Sequence, residues 1–236
     1  MKSIYAITPS DVEFKRLIKE VERMLDFGVK VFQYREKNLS ENQIMANAEK
    51  LLEMIKKNEG KLIINDDPKI AVEIGADGFH LGMEDYLKPK NLKFIKEHKE
   101  ILNSDYLKGL TCKWNFELIK NLPEEHISWD YLGIGAFYQS KTKDEAEILK
   151  SDDKSYPLEI SSKPLVAIGG INKNNMDEVF SLGYETIALS DGIFFQEDLK
   201  KIFPRESWNK LHLQIIFLSL IHISEPTRLR RISYAV

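Results

Sequence analysis

The chain has 236 residues, of which 43% are hydrophobic and 30% charged, and its net charge is −3 at pH 7. This length fits one barrel-sized domain or two small ones, and the near-neutral charge gives no basic footprint for nucleic acid. The single cysteine, Cys112, excludes an intramolecular disulfide framework and fits a reducing compartment. Because the N-terminal apolar run is too short for a signal peptide and no run reaches about 20 apolar residues, we expect a cytoplasmic protein without a membrane partner.

The C-terminal segment LSLIHISEPTRLRRISYAV, residues 218–236, resembles the translation of a transposase-type sequencing adapter. One adapter part accounts for residues 218–228 and a second, in the same frame, for 232–236. A native amphipathic tail with a basic end is the alternative, but a chance match to both parts is very improbable. We therefore leave 218–236 out of fold prediction and assign residues 1–217 to a single domain.

Short β-rich runs alternate with segments of helical periodicity along the rest of the chain. The predicted strands span 3–8, 29–36, 61–66, 77–82, 106–112, 130–137, 164–170 and 185–191. Each is followed by a helix candidate, which predicts one α/β domain folded as a (β/α)8 TIM barrel. A doubly wound open sheet is the alternative, and it lacks the G-x-G-x-x-G that would follow its first strand.

The helix candidates carry apolar stripes and N-terminal caps. The stripe after strand one is Leu17, Val21, Met24 and Leu25, and that after strand two is Ile44, Ala48, Leu51, Leu52 and Ile55. Asp11, Ser40 and Asn172 are the predicted N-caps after strands one, two and seven. The mostly polar segment 138–163 is predicted as a long loop with a short helix.

The candidate site residues are those at the C-terminal strand ends, where barrel active sites lie. In the run QYREK, alternation places Gln33, Arg35 and Lys37 on one face of strand two. Three donors at a barrel mouth suit a phosphorylated substrate, since arginine forks onto phosphate oxygens. A solvated strand end with an Arg–Glu pair is the alternative.

Carboxylates follow strands three and four. Asp66 and Asp85 could together hold one Mg²⁺, which takes a few carboxylates and fills its other positions with water and phosphate oxygens. Asp67 precedes Pro68 and is predicted mainly as a helix N-cap. Glu84 and Asp85 could also be ordinary solvated loop acids.

Two further segments suit phosphate binding. The loop YQSKTKD after strand six offers hydroxyls and lysines that could close over a pyrophosphate, although an ordinary polar loop has the same composition. The run VAIGGINKNN predicts that Gly169 and Gly170 lead into a helix start, where backbone N–H groups bind anions. A tight turn without a ligand is the alternative.

Taken in order from Ile4 to Ile193, the runs QYREK, IINDD, ADGFHLGMED, SKTK and AIGGI resemble the thiamine phosphate synthase family. The resemblance implies a (β/α)8 barrel that joins a hydroxymethylpyrimidine diphosphate to a hydroxyethylthiazole phosphate with Mg²⁺, yielding thiamine phosphate and pyrophosphate. Its partners would be small phosphorylated molecules. The oligomeric state stays open, a homodimer included.

The resemblance also implies roles for particular residues. Gln33, Arg35, Lys37 and Asn65 correspond to pyrimidine-diphosphate contacts, Asp66 and Asp85 to Mg²⁺ ligands, Lys143 to a pyrophosphate contact, and Ser140, Thr142 and Gly170 to the thiazole-phosphate site. Arg35, Lys37 and Lys143 would stabilise the departing pyrophosphate. The last phosphate contact falls on Ser190 or Asp191, in an ambiguous register.

The chain departs from the family pattern at three strand ends. Thr111 replaces the usual serine in GLTCKW, which also lacks the usual histidine, and Gln139–Ser140 replaces proline–threonine. Asp191 would repel a phosphate. His80 and Cys112 need no catalytic role, and we expect His80 to be a packed strand residue.

Two other functions are alternatives to the coupling reaction. A thiazole tautomerase-like isomerase is disfavoured because an isomerase needs no diphosphate–metal site, whereas the cations and acids of such a site are retained here. A non-catalytic thiamine phosphate binder is compatible with the changed ends of strands five and eight.

Overall fold

The computed structural model describes residues 2–139, 148–149 and 153–197. Eight parallel strands form a closed barrel in chain order, and the last strand pairs with the first. Helices connect the strands on the outside. The predicted (β/α)8 barrel is therefore confirmed.

The strands are shorter than the sequence runs that predicted them, because those runs include the loop residues at the strand ends. They are β1 Ser3–Ile7, β2 Val31–Tyr34, β3 Lys61–Asn65, β4 Gly78–Gly82, β5 Leu107–Thr111, β6 Tyr131–Ile134, β7 Leu165–Ala167 and β8 Thr186–Leu189. The helices are α1 Phe14–Asp26, α2 Glu41–Lys57, α3 Pro68–Glu73, α4 Met83–Tyr86, α5 Pro89–Asp105, α6 Phe116–Lys120, α7 Tyr156–Ile160 and α8 Met176–Ser181. The connection from β4 to β5 thus holds two helices, and α7 is the short helix expected after strand six.

The predicted apolar stripes form the contact between helices and barrel. All four stripe residues of α1 are buried, as are four of the five in α2, where Ile44 at the edge is partly buried. Packing these stripes against the outward-facing strand residues builds the larger core. This burial, rather than intrinsic helix propensity, supplies most of the stability of such helices.

Two predicted caps are right and two predictions fail. Ser40 forms a capping box with Gln43 at the start of α2, and Asp67 accepts hydrogen bonds from the first-turn amides of α3. Asp11 does not cap α1, whose N-cap is Glu13; Asp11 instead has a φ of 62° in the preceding turn.

Asn172 does not cap a helix directly after strand seven. It organises a turn, in which its side chain accepts a hydrogen bond from the Asn174 amide, and α8 begins only at Met176. The asparagines after the two glycines hydrogen bond within this turn, which delays the helix.

Strand alternation separates a second, smaller core inside the barrel. On β1, Ile4 and Ala6 belong to the outer core, whereas Tyr5 and Ile7 point inward. The inward set also includes Ile63, Tyr131, Val166 and Ala188. These side chains fill the barrel, so its polar chemistry is restricted to the layer at the C-terminal mouth and the groups just below it.

No helix within the described ranges is both long enough and apolar enough to cross a membrane. The predicted site residues Ser140, Thr142 and Lys143, and the adapter-like segment 218–236, lie outside the described residues.

Leu51→Ala should lower the free energy of unfolding by about 2–5 kcal/mol. Leu51 is fully buried between α2 and the barrel, and since alanine is the better helix former the loss would come from packing alone. Leu87→Ala is the control, because Leu87 is 58% exposed and should change stability by less than about 0.5 kcal/mol. Urea unfolding followed by circular dichroism measures both, and equal effects would contradict the assigned packing.

Candidate active site

The basic side of the barrel mouth follows β2. Gln33 points into the barrel and is buried, while Tyr34 faces the outer core, as alternation predicts. Arg35 is held after the strand end: its backbone N–H donates to the Thr8 hydroxyl at 2.9 Å and its guanidinium donates to the Ser10 hydroxyl at 2.9 Å. The loop after β1 therefore orients Arg35.

The acidic side of the mouth follows β3 and β4. Asn65 ends β3 opposite His80 of β4, and the Asp66 amide donates to the His80 carbonyl at 2.9 Å. This pairing brings the carboxyl groups of Asp66 and Asp85 within interaction range of each other. The two predicted metal ligands thus lie together, with Lys37 and Arg35 close enough to affect the pKa of Asp66.

The backbone around the acid pair is fixed by features that the sequence analysis did not identify. Asp66 has a φ of 65°, a left-handed conformation that aspartate and asparagine tolerate better than most residues. The buried amide of Asn91, near the start of α5, donates to the carbonyl of Asp66 at 3.0 Å and to that of Asp85 at 2.9 Å. Asn91 therefore ties the two acid-bearing turns together.

The two carboxyl groups differ in their electrostatics. Burial, with the neighbouring Asp85 carboxyl, raises the pKa of Asp66 to about 6, against an opposing effect of Lys37 and Arg35. For Asp85, burial is outweighed by the Lys88 ammonium, which lies 2.6 Å from its carboxylate and lowers its pKa. Repulsion between the two acids is thus only partly relieved by the surrounding cations.

The adjacent acids Glu84 and Asp85 have different environments. The Glu84 side chain is 90% exposed and its carboxylate lies 3.9 Å from the Lys113 ammonium, whereas the Asp85 side chain is only 20% exposed. Glu84 is thus the solvated loop acid, and Asp85 is the one directed toward the mouth.

The acid pair fits a Mg²⁺ ion. Two carboxylates that repel each other form a donor set for a hard divalent cation, which would also displace the proton that Asp66 holds below about pH 6. Among the described residues, no group of three or more histidine, cysteine, aspartate or glutamate side chains could hold a metal. The site would thus depend on water or substrate oxygens for its remaining ligands, as Mg²⁺ sites commonly do.

Below the mouth, a chain of hydrogen bonds crosses the barrel interior. It joins the side chains of Gln33, Tyr5, Tyr131, His80 and Thr111 in that order. Burial lowers the pKa of His80 to about 4 and raises the pKa of both tyrosines, so the ring and the phenols are neutral at pH 7. His80 is buried, as expected, but it contacts the predicted site residue Thr111.

Cys112 faces the outer core rather than the mouth. Burial raises the pKa of its thiol to about 12, so the thiol stays protonated, which agrees with the absence of a predicted catalytic role.

Gly169 and Gly170 follow β7 and allow the chain to pack closely on the loop after β6. Both have positive φ, 98° and 62°, and a side chain at Gly170 would meet the Tyr138 carbonyl at 2.5 Å. The two loops are therefore in backbone contact. The predicted helix directly after these glycines is wrong, so an anion here would meet loop amides and not the N-terminus of α8.

The register at β8 separates Ser190 from Asp191. Ala188 points into the barrel and Leu189 into the outer core, so alternation places Ser190 on the inner side. Asp191 is exposed, and its carbonyl accepts a hydrogen bond from the Gln196 amide. Of the two candidates for a phosphate contact, Ser190 is the better placed, and Asp191 need not face the anion.

The residues missed from sequence are Tyr5, Tyr131, Asn91 and Lys88. Period-2 alternation in SIYAIT could have placed Tyr5 inside a barrel, but a lone buried tyrosine is ordinary. Asn91 and Lys88 carry no motif of their own, and only their contacts with the acid pair identify them.

The closed barrel and the polar groups at its C-terminal mouth place the chain in the class of (β/α)8-barrel proteins with a site at that mouth. A family model described as thiamine monophosphate synthase matches residues 4–193. The chain belongs to this thiamine monophosphate synthase family.

Relatives with related names agree with this membership. A protein named thiamine-phosphate synthase from Nitrosospira multiformis is 33% identical over 219 residues, covering 87% of each chain. Another of that name, from Fusobacterium nucleatum, is 34% identical over 199 residues, 84% of this chain and 92% of its own. The solved thiamine phosphate pyrophosphorylase from Pyrococcus furiosus superposes with a TM-score of 0.68 at 25% identity, covering 93% of this chain and 96% of its own.

The raised pKa of Asp66 predicts a pH-dependent stability. Between its usual value of 3.8 and about 6, the folded protein holds a proton that the unfolded chain releases, so this contribution is present below that window and is lost as pH rises through it. Thermal unfolding in EDTA should therefore show wild type losing stability relative to Asp66→Asn from pH 4 to 6.5. Parallel pH profiles for the two proteins would contradict the assigned repulsion.

Mg²⁺ should reverse that loss. Because the ion binds the ionised pair, it should raise the melting temperature of wild type at pH 7.5 and have little effect at pH 5. Asp66→Asn, whose asparagine also accepts the left-handed backbone, should lose the shift. The Glu84→Gln variant should keep it, and a similar loss in Glu84→Gln would argue against a site at Asp66 and Asp85.

Proposed function

We propose that this protein catalyses thiamine phosphate synthesis, a transferase reaction. It would join 4-amino-5-hydroxymethyl-2-methylpyrimidine diphosphate to 4-methyl-5-(2-hydroxyethyl)thiazole phosphate and release pyrophosphate. The observation that supports this most is the meeting of Asp66 and Asp85 beside Arg35 and Lys37 at the mouth of a family barrel.

The basic residues would bind and stabilise the diphosphate. Arg35 is oriented by Thr8 and Ser10, and a fixed guanidinium forks onto phosphate oxygens with little further ordering. The exposed ammonium of Lys37 adds charge without a fixed geometry. Lys143, outside the described residues, is proposed as a further cation toward the pyrophosphate.

The reaction exchanges one bond for another. The bond between the exocyclic methylene carbon and the diphosphate oxygen breaks, its electron pair leaves with pyrophosphate, and the thiazole nitrogen forms a new bond to that carbon. The cations stabilise the charge that develops on the leaving group. The thiazole phosphate must lie beside the pyrimidine, which the opposite side of the mouth would provide through Gly169, Gly170, Ser190 and, outside the described residues, Ser140 and Thr142.

Asp66 and Asp85 would hold the Mg²⁺ ion, and Asn91 would hold the turns that carry them. Bound there, the ion would add positive charge at the departing pyrophosphate. Gln33, Asn65 and Thr111 supply uncharged polar groups around the pyrimidine side.

A coupling assay with both substrates, with and without Mg²⁺, tests this function. Formation of thiamine phosphate and pyrophosphate in equal amounts supports it. Rearrangement of a thiazole substrate alone would indicate a tautomerase-like isomerase. Binding of thiamine phosphate without turnover would indicate a non-catalytic binder.

Asp85→Asn should lower the catalytic efficiency on the order of 100-fold or more, since it weakens the metal site on which leaving-group stabilisation depends. The neighbouring Glu84→Gln is the matched control and should stay near wild type, because Glu84 is solvated. Steady-state kinetics with saturating Mg²⁺ measures both. Equal activity of Asp85→Asn and wild type would refute the metal assignment.

Arg35→Ala should raise the KM for the pyrimidine diphosphate by about 10- to 100-fold, the effect of losing charged hydrogen bonds. Arg35→Lys should fall between this variant and wild type, because lysine keeps the charge but cannot fork. The KM for the thiazole phosphate serves as the internal comparison. An unchanged KM for the pyrimidine diphosphate in Arg35→Ala would remove Arg35 from the site.

A further inference from the structure

The hydrogen-bonded chain inside the barrel links two proposed substrate contacts through groups that have no assigned role. Gln33 Nε2 lies 2.8 Å from the Tyr5 hydroxyl, which lies 2.9 Å from the Tyr131 hydroxyl. The Tyr131 hydroxyl lies 3.1 Å from His80 Nδ1, and His80 Nε2 lies 2.6 Å from Thr111 Oγ1. Of the five side chains, all but that of Thr111 belong to buried residues.

Two inward positions of the barrel are glycines, and the absence of their side chains leaves room for this row of hydrogen-bonded groups. A Cβ at Gly109 would overlap both the His80 ring and the phenol of Tyr131. A Cβ at Gly133 would lie 3.2 Å from Thr111 Oγ1 and 3.5 Å from the His80 ring. Because β5 and β6 each leave an inward position empty, the two rings can lie with centroids 5.5 Å apart.

The number of hydrogens on each group determines which partner donates in each of these hydrogen bonds. The Gln33 amide donates to Tyr5, so the single hydrogen of Tyr5 is left for the Tyr131 oxygen. Tyr131 then donates to His80 Nδ1, which makes Nδ1 the acceptor and leaves the one N–H of the neutral ring on Nε2. His80 Nε2–H donates to Thr111, and the Thr111 hydrogen remains for a group at the barrel mouth.

We propose that Tyr131 is a positioning residue, which fixes the tautomer of His80 and thereby makes the Thr111 hydroxyl a hydrogen-bond donor to the bound substrate. This inference rests on the proposed function for the identity of the substrate. Thr111 ends β5 beside β4, on the side of the barrel that carries Asp66 and Asp85. The acceptor therefore belongs to the pyrimidine diphosphate and not to the thiazole phosphate.

The opposite direction is a defined alternative. If the Gln33 amide were turned over, its oxygen would accept from Tyr5, Tyr131 would donate to Tyr5, and His80 would carry its hydrogen on Nδ1. Thr111 would then donate to His80 and offer the substrate only an acceptor. Since a buried donor without a partner is costly, all hydrogen bonds from Gln33 to Thr111 should donate in the same direction.

Nitrogen-15 NMR of the histidine rings tests the direction in the substrate-free wild-type protein. A His80→Asn spectrum assigns the His80 signals by their loss. We expect a protonated Nε2 and an unprotonated Nδ1 at pH 7.5, and a mixture of tautomers in Tyr131→Phe. A wild-type ring protonated on Nδ1 would overturn the proposal, and this measurement needs neither activity nor a folded variant of Tyr131.

Kinetics tests whether Tyr131 acts through Thr111. Tyr131→Phe and Thr111→Val should each lower the catalytic efficiency for the pyrimidine diphosphate about tenfold, the size of one buried hydrogen bond. The KM for the thiazole phosphate should change less than about twofold. The double variant should lose little more than either single variant, because both remove the same donor.

Tyr184→Phe is the matched control. The buried hydroxyl of Tyr184 donates to the Lys154 carbonyl at 2.8 Å and takes no part in the hydrogen bonds that join Gln33 to Thr111. It should lose comparable stability but keep its catalytic efficiency and its His80 tautomer. Equal kinetic losses in Tyr131→Phe and Tyr184→Phe, or additive losses in the double variant, would overturn the positioning role. A wild-type protein without coupling activity would instead refute the proposed function, while the NMR result would still decide the direction of the chain.

Discussion

Two carboxylates placed against each other at the ends of neighbouring strands are the constraint on which the site depends. Burial and the neighbouring Asp85 carboxyl together raise the pKa of Asp66, so its ionised form is disfavoured here, whereas the Lys88 ammonium favours the ionised form of Asp85. The closed barrel forces them together, because the register of β3 and β4 fixes both turns and Asn91 ties them. Arg35, oriented by the loop after β1, places positive charge nearby.

The repulsion has a use in the proposed reaction. A divalent ion and a diphosphate together complement an acid pair flanked by cations, whereas either one alone leaves charge uncompensated. The negative charge of Asp66, which costs stability in the free protein, would thus stabilise the protein with the ion and the diphosphate bound. Natural sites commonly show this exchange of stability for function.

The barrel interior adds a neutral counterpart to this charged rim. Its hydrogen bonds join side chains that are far apart in sequence. None of these groups is charged at pH 7, because burial lowers the pKa of His80 and raises the pKa of both tyrosines. The space for these side chains exists because Gly109 and Gly133 have no side chains of their own. A neutral, hydrogen-bonded polar layer thus lies below the charged residues of the mouth.

The sequence alone determined the barrel, because eight alternating strand and helix patterns and two apolar stripes are local properties of the chain. It also determined the order of the motifs at the mouth and the caps at Ser40 and Asp67, whose partners lie within three residues. Only the tertiary structure decided that Asp85 and not Glu84 faces Asp66, that Ser190 and not Asp191 lies on the inner side, that Asn91 ties the two acid-bearing turns, and that Tyr131 contacts His80. Those outcomes depend on strand register and on contacts between residues distant in sequence, which periodicity does not encode.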